Sequence, residues 1–344
     1  MDKNQPLVSI ITPCYNGGRF VNRLLESVIS QTYNNIELLL IDDGSTDNTK
    51  DVVFSYVAKF KELGMNLIYL YQENQGQAEA INKGLANMSG DYLTWIDSDD
   101  FLMVESVEKR VKLLEDNGKG YFCITVGDLV CEDDVDKTIR KIQRMQPEGK
   151  DNFFMDLIHV SNVVFASGGG FMVHASDFIK AVPTNRIYNS REGQNWQLML
   201  PITYFYKCLY IEESLYKVVE TSNSHSRGNR TIERTIDRKK NLMLLICETV
   251  KAMNIKEEEE VVQFIIEKYS WQIIELLKYT NSRVEYIGKK KEYIKNFGYG
   301  PYIKRYVQNL IKNIAMTIKN NSIIRKICGK NAIVKTNAFD NRKR

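Results

Sequence analysis

Histidine is scarce in this 344-residue chain, with three in all, and its six cysteines lie far apart with no CxxC spacing. That excludes a zinc centre built on paired Cys and His ligands. It also excludes a disulfide framework, since scattered cysteines in a chain this long read as reduced thiols of the cytosol. Long apolar runs are missing as well. Nowhere do ~18 apolar residues follow one another, so no membrane-spanning helix is expected. The start, MDKNQPLVSII, carries no apolar core behind a basic segment, so no signal peptide is expected. No internal repeat, low-complexity linker or Walker A loop is present. These absences describe a cytoplasmic protein, either free or peripheral at the inner face of the cell membrane.

What is present is ordinary in total and uneven in distribution. Hydrophobic residues make up 43% and charged residues 26%, a globular composition. The length allows two units of about 150 residues each. Lys and Arg number 47 against 43 Asp and Glu, a net charge of +4. From Asn281 onward the chain has 16 basic and 3 acidic residues, a net +13, which leaves −9 on the first 280. An acidic body with a basic end raises the question of an anionic surface.

The first hundred residues alternate short apolar runs with helical spacing. Strands are expected at 7–12, 36–41, 66–71 and 92–96, and helices at 20–30, after Ser45 or Thr46 as N-cap, and at 77–88. Such alternation implies a mostly parallel sheet flanked by helices, an α/β, Rossmann-like fold. After residue 100 the pattern loosens into a helix at 104–116, a strand at 121–130, a charged segment at 132–141, a helical 153–158, a glycine turn at 168–170 and a strand at 211–219. From about residue 232 the chain reads as helical and polar.

Ligands of open parallel sheets bind at the carboxyl ends of the strands. Here those ends are polar: Thr12-Pro13-Cys14-Tyr15-Asn16, Asp42-Asp43 and Asp97-Ser98-Asp99-Asp100. Carboxylates gathered in one cleft repel one another unless a cation joins them, and a divalent metal carrying a diphosphate meets that need. A dinucleotide-binding fold would require GxGxxG after the first strand, where this chain has Tyr15-Asn16-Gly17-Gly18-Arg19-Phe20. A sugar-phosphate nucleotidyltransferase would want a glycine-rich basic loop there, of which Gly17-Gly18-Arg19 is a poor version.

Val8–Asn16, Ser30-Gln31-Thr32-Tyr33, Ile41-Asp42-Asp43-Gly44-Ser45-Thr46-Asp47, and Gly90-Asp91-Tyr92-Leu93 leading into Asp97–Asp100 together resemble glycosyltransferase family 2, of GT-A fold. The resemblance is specific over 7–102, looser to about 227, and does not reach the tail. It implies an inverting, metal-dependent enzyme using a nucleotide-activated sugar, often a UDP-sugar, with Mn2+ or Mg2+. Thr12, Pro13 and Tyr15 would lie against the base, Tyr15 having core packing as its alternative. Asp43 would meet the uracil edge, with Asp42 in support. Asp97 would face the ribose or reach the metal through water, and Asp99 would bind it directly. Glu73, Asn74, Gly76 and Gln77 occupy the segment flanking the donor, with Asn82 either there or on a helix surface. Oxygen ligands suit hard cations, which stabilise a leaving diphosphate.

In one place the chain departs from the family. Where Glu-Asp commonly precedes an aromatic residue and supplies the general base, this sequence reads Arg191-Glu192-Gly193-Gln194-Asn195-Trp196. Asn195 then stands where the base belongs, and an amide does not accept the proton usefully. Glu192 is the nearest carboxylate, either the substitute base or a helix-terminal acid. Alternatively, Gln194 and Asn195 bind acceptor hydroxyls. His225, between serines and followed by Arg227, is either a metal or diphosphate contact or a solvated loop residue. His159 reads as structural, and Gly168–Gly170 as a turn or a place of close backbone approach.

Within Tyr302–Ile327, Tyr306, Leu310, Ile314, Ile318 and Ile324 share a face among Lys304, Arg305, Lys312, Lys319, Arg325 and Lys326. Such a helix either lies on anionic lipid through 300–344 or caps the body. Nucleic acid does not suit an acidic body without a binding motif. The organisation expected is a GT-A domain at 1–228, divided into a nucleotide-sugar half (1–102) and an acceptor half (103–228), then a helical basic extension at 229–344. The function expected is transfer to a glycan or lipid-linked acceptor, in the manner of bacterial surface polysaccharide synthesis. A catalytically silent nucleotide-sugar-binding subunit is the alternative, and a sugar-phosphate nucleotidyltransferase is the second.

Overall fold

Strands β1 (Val8–Cys14) and β2 (Ile36–Asp43) are buried at every position, as parallel strands are when helices cover both faces. The structure is a computed structural model and describes residues 5–143, 153–159, 168–182, 184–190, 193–220 and 231–320. β1 and β2 run parallel, with Val8 opposite Ile36 and Cys14 opposite Asp42. β3 (Asn66–Gln72) extends the parallel set beyond β2, and β4 (Tyr92–Trp95) joins the other side of β1. The intervening helices are α1 (Val21–Ile29), α2 (Thr49–Ser55), α3 (Val57–Glu62) and α4 (Gln77–Asn87). The order β3-β2-β1-β4 places a topological switch between β1 and β4, and an open sheet leaves a crevice at the carboxyl ends there.

The second half comprises β5 (Phe101–Leu102), α5 (Ser106–Asn117), β6 (Tyr121–Cys131), β7 (Asp134–Ile142), α6 (Phe153–His159), a 3-10 turn at Gly168–Gly170, β8 (Phe171–His174), α7 (Ala175–Ala181), α8 (Gln194–Phe205) and β9 (Lys207–Glu220). The sheet continues β4-β8-β6-β9-β5, with β7 also on β6. β8 is antiparallel to both its neighbours, whereas β9 is parallel to β6.

Two local expectations need correction. The charged segment 132–141 is largely strand β7: it pairs with only the second half of β6 and is exposed almost throughout. A strand with no buried face prints no alternation in sequence. Neither Ser45 nor Thr46 caps α2, which starts at Thr49. Asp47 Oδ1 accepts the Thr49 N–H instead, at 3.0 Å, because Ser45 and Thr46 are engaged with the preceding loop.

The chain divides into two compact units, Met1–Ile266 and Glu267–Arg344. The composition break near 230 coincides with the start of α9 (Ile232–Ala252), which lies within the first unit and packs on α8. The first unit is built around Leu24, Leu25, Val28, Leu38, Leu40, Tyr92, Val107 and Leu114. The rings of His159 and Phe264 pack with centroids 4.6 Å apart, tilted by 59°. α10 (Glu258–Leu277) runs across the division, and the second unit continues with α11 (Arg283–Phe297) and α12 (Tyr299–Asn320). There Trp271, Ile274 and Tyr293 form a small core, and Glu267 accepts from Tyr293 Oη at 2.8 Å and Arg305 Nε at 3.2 Å. No helix among the described residues is long and apolar enough to cross a membrane. The five described cysteines are all free thiols.

One buried charge ties the two halves of the sheet together. Arg110 of α5 is fully buried and donates to Thr94 Oγ1 at 3.0 Å and to the carbonyls of Gly169 and Phe171 at 3.1 Å each. Burial pulls its pKa down to about 10, so it stays charged at neutral pH. Arg110→Ala removes three buried hydrogen bonds to Thr94, Gly169 and Phe171 and opens a void. Urea unfolding should show a loss of about 3 kcal/mol; an unchanged midpoint would refute this brace.

Candidate active site

At the carboxyl ends of β1 and β2, the connecting loops are laced together. Asn16 takes a positive φ of 50°, which Asn tolerates better than most residues. Its N–H donates to Ser45 Oγ at 2.8 Å, and its Oδ1 accepts from Thr46 N at 2.8 Å. The next two amides continue the pattern, Gly17 N to Thr49 Oγ1 at 2.8 Å and Gly18 N to Asp47 Oδ2 at 2.9 Å. Much of the motif Asp42–Asp47 is thus spent on holding the loop after β1. Gly44 (φ +80°) turns the chain where a Cβ would meet Asn74 N at 2.7 Å.

The adjacent acids have different surroundings. Asp42 accepts from Ser45 N at 2.7 Å and from Tyr69 Oη at 2.5 Å. Asp43 is buried and accepts from Gln72 Nε2 at 2.8 Å, Gln75 N at 2.9 Å and Gly76 N at 2.9 Å. Its carboxylate therefore fixes the segment that runs from β3 into α4. Thr12 is buried with its hydroxyl unpartnered, and Pro13 sits opposite Ile41. Tyr15 is 48% exposed, which removes core packing as its explanation.

After β4 the acids are less well provided for. Gln77 Nε2 donates to Asp97 Oδ1 at 2.9 Å, which brings two of the expected donor-side residues together. Asp97 and Asp99 are half-buried. Burial raises the pKa of Asp97 first, and the Asp99 charge adds to it. Burial also raises Asp99, against which Arg23 acts; Arg23 Nη2 donates to the Asp99 carbonyl at 3.0 Å. Asp100 turns inward and accepts Val219 N at 3.0 Å, pinning the loop to β9. Ser98 bonds the Cys14 thiol, whose pKa burial pushes up to about 12, leaving it a packing group.

The donor set fits a hard cation, since only carboxylate oxygens are offered and both resist ionising side by side. Among the described residues no group of three or more His, Cys, Asp or Glu converges. A cation here would draw its remaining ligands from a diphosphate or water. His225 and Glu192 lie outside the described residues.

Segment 184–190 is held by side-chain amides. Asn82 of α4 accepts Ile187 N at 2.7 Å and donates to Ile187 O at 3.0 Å. Gln197 of α8 does the same for Tyr188, accepting its N–H at 2.6 Å and donating to its carbonyl at 2.9 Å. Gln194 Nε2 donates to Ser190 O at 2.8 Å, and Asn185 Nδ2 to Leu85 O at 3.1 Å. Both polar ends of Asn82 are thus engaged with main chain, and Gln194 and Gln197 clamp the same segment from the other side. Asn195 points elsewhere: its Oδ1 accepts from Trp95 Nε1 at 2.9 Å. Gly168 lies against that indole, where a Cβ would fall 1.7 Å from Nε1, so the glycine run makes room for Trp95 and Tyr216. Sequence reasoning passed over Trp95, Arg23 and Gln72, whose apolar or polar settings carry no motif of their own.

A largely parallel sheet with acids at its switch point and a segment clamped by amides of α4 and α8 defines a GT-A-type transferase fold, as the motifs implied. Residues 9–217, more than half of the chain, match the family described as Glycosyl transferase family 2, and the chain belongs to that family. An uncharacterised glycosyltransferase of Haemophilus influenzae is 38% identical over 133 residues, 37% of this chain and 52% of that protein. Glycosyltransferase GlyA of Streptococcus pneumoniae is 40% identical over 105 residues, 30% of this chain and 14% of its own. The chain therefore matches about half the length, or less, of these curated relatives. The crystal structure of S. aureus TarS 1–349 gives a TM-score of 0.60 at 14% identity, covering 85% of this chain and 80% of that one. At that identity the likeness is one of fold.

Removing two amide clamps should loosen the 184–190 segment without unfolding the sheet. In Asn82→Ala/Gln197→Ala, four hydrogen bonds are lost, and tryptic cleavage after Arg186 should accelerate by roughly tenfold or more. Mass spectrometry of timed digests would show this; a parental cleavage rate would refute it.

Proposed function

We propose that this protein is a metal-dependent inverting glycosyltransferase that moves a hexosyl or N-acetylhexosaminyl group from a UDP-sugar to a glycan or lipid-linked acceptor in bacterial surface polysaccharide synthesis. The observation that carries the reading is the under-satisfied pair Asp97 and Asp99 at the β1/β4 switch, in a chain of this family. The TarS structure in complex with UDP-GlcNAc, TM-score 0.60 at 16% identity, supports the donor class.

Residues 1–102 then hold the donor, 103–228 present the acceptor, and 229–344 form a helical extension. Tyr15 is exposed after β1 and would offer its ring to the base, with the buried Thr12 and Pro13 beneath it in the strand. Asp43 keeps the 72–76 segment in place, and it would meet the uracil edge from there. Asp99 would hold Mn2+ or Mg2+, with Asp97 assisting directly or through water and His225 as a further ligand. The bound cation would act as a Lewis acid on the diphosphate as its bond to the anomeric carbon breaks. Gln77 holds Asp97 in one orientation, and Arg23 offsets the local negative charge through Asp99. An acceptor oxygen attacking from the opposite face gives inversion, and its proton passes to Glu192 or to water.

A silent donor-binding subunit is favoured by one observation, the engagement of Asn195 by Trp95 at the usual base position. A panel of nucleotide sugars with Mn2+, read as nucleoside diphosphate release, separates the readings. UDP-sugar turnover is expected, falling at least about a hundredfold in Asp99→Asn. UDP release unaffected by that substitution would contradict the metal assignment, and binding without turnover would leave the silent subunit.

The enzyme would work in the cytoplasm at the inner membrane face. On α12, Tyr299, Ile303, Val307 and Ile311 are exposed on one face, in a region of net +13 from Asn281 onward. Each basic residue near an anionic surface contributes ~1 kcal/mol. Full-length protein should sediment with phosphatidylserine vesicles at low salt, and deletion of 300–344 should abolish this. Undiminished sedimentation of the deletion would refute it.

A further inference from the structure

The Trp95–Asn195 contact decides more than local packing. An indole Nε1–H can only donate, so it fixes which end of the Asn195 amide faces it. Oδ1 meets Trp95 at 2.9 Å, and Nδ2, with its two N–H donors, is left without a partner among the described residues. Trp95 itself has little freedom. It ends β4, is 3% exposed, lies 5.8 Å from the Phe171 ring, and is crowded by Gly168. Arg110 in turn holds the Gly169 and Phe171 carbonyls. The indole direction is therefore set by the sheet, and the amide direction by the indole. Trp95 lies two residues before Asp97, so this amide belongs to the same strand end as the carboxylate pair.

We propose that Trp95 is a positioning residue that turns Asn195 into a hydrogen-bond donor, so that Nδ2 binds a lone pair of the acceptor oxygen rather than receiving its proton. This rests on the transferase reading for its acceptor, but not for the pair itself. The same geometry has a second consequence. A carboxylate at 195 would keep the Trp95 bond through one oxygen and present the other where Nδ2 now points. In Asn195→Asp, water attacking the anomeric carbon would form the new C–O bond and give its proton to that free oxygen. The bond from the anomeric carbon to the diphosphate would break, its electron pair leaving with UDP, and the free sugar would be the product.

Two measurements test this on the full-length protein. The chain has three tryptophans, Trp95, Trp196 and Trp271, so 15N-indole NMR gives three resonances, and Trp95→Phe assigns the one needed. In Asn195→Ala the Trp95 indole proton should move upfield and exchange with solvent at least about tenfold faster, whereas in Asn195→Asp it should stay downfield and protected. With UDP-GlcNAc and other UDP-sugars plus Mn2+, and no acceptor, Asn195→Asp should raise hydrolysis at least about tenfold at unchanged donor KM. Adding Trp95→Phe should abolish that gain while leaving donor KM in place. An indole resonance indifferent to residue 195, or a gain that survives Trp95→Phe, overturns the proposal. The expected resonances with no turnover of any donor by any variant would uphold the pair and overturn the transferase reading instead.

Discussion

Charge collected at one edge of a parallel sheet must be neutralised or held by hydrogen bonds, and here the chain does this unevenly. Asp42 and Asp43 together accept from a tyrosine, a glutamine and three main-chain amides. Asp100 is turned inward onto Val219. Asp97 has Gln77, and Asp99 has an arginine bound to its carbonyl rather than to its carboxylate. Three acids are consumed in building the loops, and two are left with raised pKa values in a half-buried crevice. That inequality separates the loop-building carboxylates from the under-satisfied pair more sharply than the motif does, because in sequence all five are Asp at strand ends.

Segment 184–190 follows a different rule. Asn82 and Gln197 each engage one residue of main chain through both polar atoms, imitating a strand neighbour for a segment that has none. Segment 184–190 is thereby held between α4 and α8 without joining the sheet. Amides suit this duty because they donate and accept at once, which carboxylates do not. Asn195 belongs to the same cluster in sequence but faces the indole of Trp95 and does not join the clamp.

The parallel half of the fold was legible in sequence, since buried strands such as Ile36–Asp43 print continuous apolar runs and Phe20–Ser30 prints a clear helical face. β7 was not, because an exposed edge strand has no face to hide. Among the candidate site residues, Asp43, Asp97 and Asp99 are singled out by strand-end position and family motif. The interlocking of Asn16 with Ser45 and Thr46 could not, since it joins loops 30 residues apart through a positive φ. Nor could Trp95, which reads as the apolar end of a strand and reveals its donor only when placed 2.9 Å from Asn195.

If Asp97 and Asp99 together hold a cation that in turn holds a nucleoside diphosphate, UDP affinity depends on the metal and on Asp99. Calorimetric titration of UDP in Mn2+ and in EDTA tests it without any assumption about acceptor or turnover. The account predicts binding at least about tenfold tighter with Mn2+ in the parent protein, and no such difference in Asp99→Asn. Equal affinity with and without Mn2+ in the parent, or full Mn2+ enhancement in Asp99→Asn, would contradict it.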